Sequence, residues 1–182
     1  MKSVEMKIRL LIQKDWQIWK NFRLEALKNS PNNFSSSYEE ELKWSDSKFQ
    51  DILNTSDIFA AFIDNMVIGC AGFYRLNSLE TKHQGIVWGI YVQPEYRGKG
   101  IASSLIEPLI THAKQHVKQL DLTCFTNNVG AIKLYQKYGF KIHSTEPREC
   151  KVDDVVIDEH LMILDLTGNA SILQDGEAIQ DY

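Results

Sequence analysis

The residue pattern predicts an α+β fold: a mixed sheet with helices packed on it. Three observations carry that prediction. Apolar stretches of period 2 and period 3.6 follow one another as strand, two helices, three strands, helix, strand, helix and two closing strands. That order is neither an alternating βαβα series nor an all-β pattern, which leaves α+β as the class. A glycine-rich turn between the third of the middle strands and the following helix ties the two kinds of element together. Finally, 182 residues suit one domain, and a chain of that size buries roughly 70% of its unfolded surface without needing a metal or a disulfide.

Taken in order, Met6–Ile12 reads as the first strand, and Asp15 is placed to cap the helix after it. Trp16, Trp19, Phe22, Leu24 and Leu27 recur at helical spacing up to Ser30-Pro31. A second helix follows Ser35-Ser36-Ser37 and continues through Leu42, Trp44, Phe49 and Ile52; Glu39, Glu40 and Glu41 suit the dipole of its solvated first turn, the alternative being a share in binding a cationic substrate. Asp57–Ile63 and Val67–Tyr74 are strands joined by Asp64-Asn65, a hairpin signal. Leu76–His83 is a polar connection, and a strand begins near Ile86. Gly98–Val117 reads as a long amphipathic helix that Pro108 should kink or end early. Leu120–Phe125 is a strand, Asn128–Tyr138 a helix, and Phe140–His143 a strand edge. Lys151–Asp154 reads as a turn into the last strand, Val155–Leu166. Residues 1–166 thus form the domain, and 167–182 are a polar, acidic tail.

Bulk properties narrow the function. The hydrophobic fraction of 43% and charged fraction of 24% are ordinary for a globular protein, and a net charge of −4 argues against nucleic acid as the main partner. No apolar run is long enough to cross a bilayer. The N-terminus carries charges inside its apolar run and lacks a small-residue cleavage site, so no signal peptide is expected. Cys70, Cys124 and Cys150 have no CxxC or His/Cys ligand spacing. They fit a reducing, cytoplasmic setting, with Cys70 and Cys124 as small buried hydrophobes and no metal. Homodimerisation is compatible with the sequence, though no motif specifies it.

Two stretches carry chemistry. In Ile86–Leu105 a strand turns at Pro94 and passes through Arg97-Gly98-Lys99-Gly100 into a helix whose first turn holds Ala102, Ser103 and Ser104. Two glycines let backbone N–H groups approach an anion, the helix N-terminus adds partial positive charge, and Arg97 and Lys99 add full ones. In Thr126–Phe140, Asn128 or Asn127 suits the cap of a helix, with Ala131, Ile132 and Tyr135 along one face and Gly139 ending it. The glycine loop partly imitates a dinucleotide fingerprint, with Asp121 about twenty residues on where a ribose-binding acid belongs. The third glycine of that fingerprint is absent, and no GxxxxGK[ST] loop exists.

Together the two stretches resemble the GCN5-related N-acetyltransferase (GNAT) superfamily. Arg97-Gly98-Lys99-Gly100-Ile101-Ala102 matches its Q/R-x-x-G-x-G/A signature, and Asn128-x-x-Ala131-x-x-x-Tyr135 with Gly139-Phe140 matches its second acetyl-CoA motif. The resemblance implies a mostly antiparallel, twisted sheet of about six to seven strands flanked by helices. It also implies transfer of an acetyl group from acetyl-CoA directly to a primary amine of a small molecule, peptide or protein. On that resemblance the backbone of Ile90, Tyr91 and Val92 pairs with the pantetheine arm. The N–H groups of Gly98, Lys99, Gly100, Ile101 and Ala102 cradle the pyrophosphate with Arg97 nearby, and Asn128 bonds the pantetheine amides. Tyr135 is the implied catalytic acid: a tyrosine, with a pKa of about 10, is protonated at neutral pH and can donate to the leaving thiolate.

The resemblance supplies no general base. Branches of the superfamily carry a glutamate where this chain has Thr123, or near Gln84 and Gly85. His83, Glu80, Glu159 and His160 are the other candidates, and deprotonation through water is an equal alternative. Two other functions fit parts of the sequence. The missing glutamate suits a non-catalytic acetyl-CoA-binding regulatory domain, and the glycine loop with Asp121 suits a nicotinamide-dinucleotide-binding protein. The acceptor amine is not encoded in any motif.

Overall fold

A computed structural model describes residues 5–149 and 156–168 of the chain. Seven strands are found among them: β1 Lys7–Leu10, β2 Asp57–Ile63, β3 Met66–Arg75, β4 Gln84–Val92, β5 Gln119–Phe125, β6 Lys141–Glu149 and β7 Val156–Asp165. The helices are α1 Trp16–Asn29, α2 Tyr38–Glu41, α3 Asp46–Thr55, α4 Ile101–Ala113 and α5 Val129–Lys137. The strands form one sheet in the order β1-β2-β3-β4-β5-β7-β6. Every neighbouring pair is antiparallel except β4 and β5, which the crossover through α4 makes parallel. The α+β class expected from the sequence is what the chain adopts. No helix among the described residues is long and apolar enough to cross a membrane. The expected turn at Lys151–Asp154, Cys150 and nearly all of the tail lie outside the described residues.

Alternation along β2 distributes the core between two layers. Phe59 and Ala61 face α4 and α5, while Ile58 and Ala60 face α1 and α3. The hairpin after β2 turns at Asp64 and Asn65, with φ of 47° and 67°; both lie in the left-handed region that a type I′ turn requires.

Several expectations change in detail. The first strand is shorter than Met6–Ile12. Asp15 stands at the start of α1 but does not cap it. Its carboxylate instead accepts from the Ile12 N–H (2.8 Å) and from the Arg9 guanidinium (2.7 and 3.0 Å), which holds it below the usual carboxylate range. The helix expected from Glu39 to Ile52 is broken in two, because Ser37 and Ser45 each accept an N–H of the turn that follows and so start separate helices. Nor is the acid run wholly solvated: Glu41 is 1% exposed.

Pro108 neither ends α4 nor shortens it to one turn; the helix continues to Ala113. A proline in a helix interior costs about 3 kcal/mol. Against that, Ile101, Leu105, Ile106, Leu109 and Ile110 are all buried, at roughly 1.5–3 kcal/mol for each large side chain. Packing on the sheet outweighs the local penalty.

Two irregularities of β4 shape everything that follows. On the β3 side Trp88 pairs with Gly72 and Tyr91 with Cys70, so Gly89 and Ile90 together oppose the single residue Ala71. This is a β-bulge, and Gly89 takes it at φ 61°, where a side chain would be strained. On the other side, β4 and β5 are paired only at Gln84, Gly85 and Ile86. Beyond Ile86 the two strands part, and the edge of β4 from Val87 to Val92 is left facing a gap.

Candidate active site

The gap between β4 and β5 is a cavity of about 630 Å³. Its walls are the diverging strands, the first residues of α4 and α5, and the connection after α1, represented by Asn33, Phe34 and Ser35. Most residues singled out from the sequence meet here: Ile90, Tyr91, Val92, Arg97, Ala102, Asn128 and Tyr135 all line it. Gly98, Lys99, Gly100 and Ile101 are not among the lining residues.

The glycine loop stands at the mouth where β4 ends. Gly98 and Gly100 have φ of 73° and 79°, and Gly100 is the N-cap of α4. The first helical bond runs from the Ser104 N–H to the Gly100 carbonyl, so the N–H groups before it have no intrahelical acceptor. The site of a Cβ on either glycine is open, with no atom within 4 Å. Replacing Gly100 by Ala therefore meets no clash, and its cost is conformational, about 1–2 kcal/mol. Thermal denaturation of the variant should register that loss.

The two cations of the loop are already engaged. Arg97 donates from Nε to the Val92 carbonyl (2.9 Å) and from Nη2 to Ser30 Oγ (3.3 Å), with its guanidinium over the Tyr91 ring. Lys99 donates to the Glu95 carbonyl (3.0 Å) and stacks on Tyr96. Arg97 thus braces the end of β4 against the end of α1, and Lys99 folds back onto the outer surface of the turn.

Asn128, not Asn127, caps α5: its Oδ1 accepts the Ala131 N–H at 3.3 Å. Tyr135 lies further along the same helix, buried to 8% exposure with its ring edge-on to Phe140. Burial, and next the neighbouring Cys124, push the Tyr135 hydroxyl well above the ordinary tyrosine range, so it holds its proton throughout the neutral range. Cys124 itself is pushed up to about 11, first by burial and then by the Glu159 carboxylate. A thiol so shifted is inert at neutral pH.

Two acids line the cavity. Glu159 is opposite Phe125 on the β5–β7 ladder, and Thr123 lies on the same wall. Asp121 is opposite Ile86, at the end of β4 remote from the glycine loop, and accepts from Gln119 at 2.7 Å. Burial raises its pKa. That position is not one from which Asp121 could meet a ribose held at the loop. His83, Glu80, Gln84 and His160 are not among the lining residues; His160 bonds Thr145 across the β6–β7 ladder at 2.7 Å.

Sequence reading placed the acceptor side in the first two helices and the Arg148–Asp154 loop but missed the residues by which α1 and its sequel wall the cavity. Arg23 lines the cavity and is 8% exposed; it donates to Glu41 from Nε (2.9 Å) and from Nη2 (2.6 Å). Phe34 lies over its guanidinium at 4.8 Å, and Trp88 faces it at 5.5 Å. The available signal was a charge out of place: Arg23 falls four residues after Trp19, inside the apolar stripe of the helix.

A parallel pair that splits mid-sheet, a bulge beside the gap and a glycine turn at the end of β4 are the features of the fold that place the cleft. The chain belongs to the acetyltransferase (GNAT) family, whose profile matches residues 18–140. It is 34% identical over 68 residues to the spermine/spermidine N(1)-acetyltransferase of Bacillus subtilis, covering 35% of this chain and 45% of that protein. It is 32% identical over 77 residues to the L-amino acid N-acetyltransferase AaaT of Escherichia coli, covering 41% and 48%. The chain thus aligns with about half the length of these relatives. In fold it is similar to yncA of Salmonella typhimurium, a structure described with its cofactor acetyl-CoA. The TM-score is 0.72 at 19% identity, over 97% of this chain and 98% of that one.

Proposed function

We propose that this protein is an acetyl-CoA-dependent N-acetyltransferase acting on a primary amine, with one site between β4 and β5. The observation that carries the reading is the unpaired edge of β4 from Val87 to Val92, facing a cavity whose mouth is the glycine loop. An extended, amide-bearing arm fits such an edge as an added strand would, and the N-terminus of α4 fits a pyrophosphate. These are independent features, and coenzyme A has both groups in one molecule.

Ile90, Tyr91 and Val92 would offer backbone groups to the pantetheine arm. Gly98 to Ala102 would offer N–H groups to the pyrophosphate, and Asn128 its amide. Arg97 would act through Val92 and Ser30, which it holds together, more than as a free charge at the phosphates. Bound acetyl-CoA supplies an activated thioester. Tyr135, protonated and buried at the cavity wall, would deliver a proton to the sulfur as it leaves. Glu159 is the lining carboxylate suited to taking the amine proton, directly or through water. The domain would comprise residues 1–166.

Thermal shift tests the cosubstrate. A ligand at a hundred times its Kd stabilises by about 2.7 kcal/mol. Acetyl-CoA should raise Tm accordingly and NAD should not; a shift with NAD alone would sink this reading.

A further inference from the structure

Among the described residues, two buried hydrogen-bond donors on β4 have no partner: Trp88 Nε1 and the Tyr91 hydroxyl. The bulge explains why they share a face. Three residues apart, they would point to opposite sides of a regular strand, yet both pack in the layer of α1. Arg23 stands beside them. Its Nε and Nη2 are held by Glu41, while Nη1 takes no part in that pair and lies 3.6 Å from the site of a Cβ on Gly89. These groups line a small recess beside the main cavity, and Arg23, Phe34, Trp88, Gly89 and Tyr91 border both spaces.

We infer that this recess receives the acyl oxygen of an α-amino acyl acceptor, either the carboxylate of a free amino acid or the carbonyl of a peptide's first residue. The inference rests on the acetyltransferase reading of the cleft and specifies its acceptor. The rest of the recess is mostly apolar, with Trp19, Phe22, Ala26 and Ile58 in its lining, so the Trp88 indole, the Tyr91 hydroxyl and Arg23 Nη1 are its polar handles. Two of those three can only donate, which favours an oxygen over the second ammonium group of a polyamine. Glu41 already balances the charge of Arg23, so the recess suits one carbonyl-type oxygen better than a dianionic phosphate. Both donors are closed to solvent here, so an oxygen reaches them only with local movement of the side chains around them.

The test measures kcat/KM at saturating acetyl-CoA for matched acceptors: L-leucine, L-leucinamide and isoamylamine; L-phenylalanine and phenethylamine; L-lysine and cadaverine. An α-amine beside a carbonyl-type carbon titrates about 2–3 units below an alkylamine, so kcat/KM is compared per neutral amine. On that scale at least one amino acid or amide should exceed its oxygen-free counterpart by about tenfold or more, the usual weight of such bonds. Leucine against leucinamide then separates free amino acids from peptide N-termini. Trp88→Phe should cut that ratio several-fold. Equal kcat/KM on that scale within every pair overturns the recess while leaving the acetyltransferase standing, as does a ratio unmoved by Trp88→Phe. Thermal shift with the same compounds in the presence of CoA separates the converse case. A shift with amino acids but not their decarboxylated counterparts, without acetylation of any amine, upholds the recess and removes the enzyme reading.

Discussion

Tyr135→Phe should lower kcat by about a hundredfold, the lower end of what a positioned acid contributes, while the Kd for acetyl-CoA changes little. The substitution keeps the ring against Phe140 and removes only the hydroxyl, so packing is preserved. Stopped-flow or thiol-release assays give kcat, and calorimetry gives Kd. Affinity lost with turnover per bound cosubstrate intact would make Tyr135 a packing residue. The pH profile adds a second readout. Because burial raises the Tyr135 pKa, its acid form persists above the ordinary tyrosine value of about 10. The wild-type rate should therefore show no alkaline limb from this group below that pH.

Glu41→Ala should destabilise the protein by about 3–5 kcal/mol, because it strands the buried guanidinium of Arg23 without its counter-charge. For a chain of this length that corresponds to a fall in Tm of roughly 6–20 °C. Replacing both partners by apolar residues, Arg23→Met with Glu41→Leu, should recover most of the loss, since neither charge is then left buried alone. Calorimetric melting of the single and double variants decides the matter. A single variant as stable as the parent would mean that water reaches the guanidinium, contrary to its 8% exposure.

What could be read from sequence was whatever the chain encodes locally. The Asp64-Asn65 turn and the glycine loop each depend on residues a few positions apart, and each is where the sequence placed it, while the Asn128 cap is one of the two the sequence allowed. The class of fold followed from the order of such pieces. The failures have the opposite character. The Arg23–Glu41 pair joins residues on two helices, and nothing in a run of three glutamates says which one turns inward. The break between α2 and α3 was masked because Leu42 and Trp44 continue the apolar period across it. Trp88 and Tyr91 read as residues of opposite faces until the bulge between them is known. The cavity residues on β4 and α5 were legible because they sit in local motifs, whereas Arg23 and Phe34 were not, because only the folded chain brings them to the same wall.

The parting of β4 and β5 also bears on how this sheet avoids unwanted company. An exposed strand edge invites pairing with another chain and hence aggregation. Here a run of unpaired amides lies in the middle of the sheet, walled on one side by β5 and roofed by the starts of α4 and α5. A narrow flexible arm can enter that slot, whereas a strand already belonging to another folded sheet cannot. The same geometry that leaves the edge open to a narrow arm thus screens it from another folded sheet.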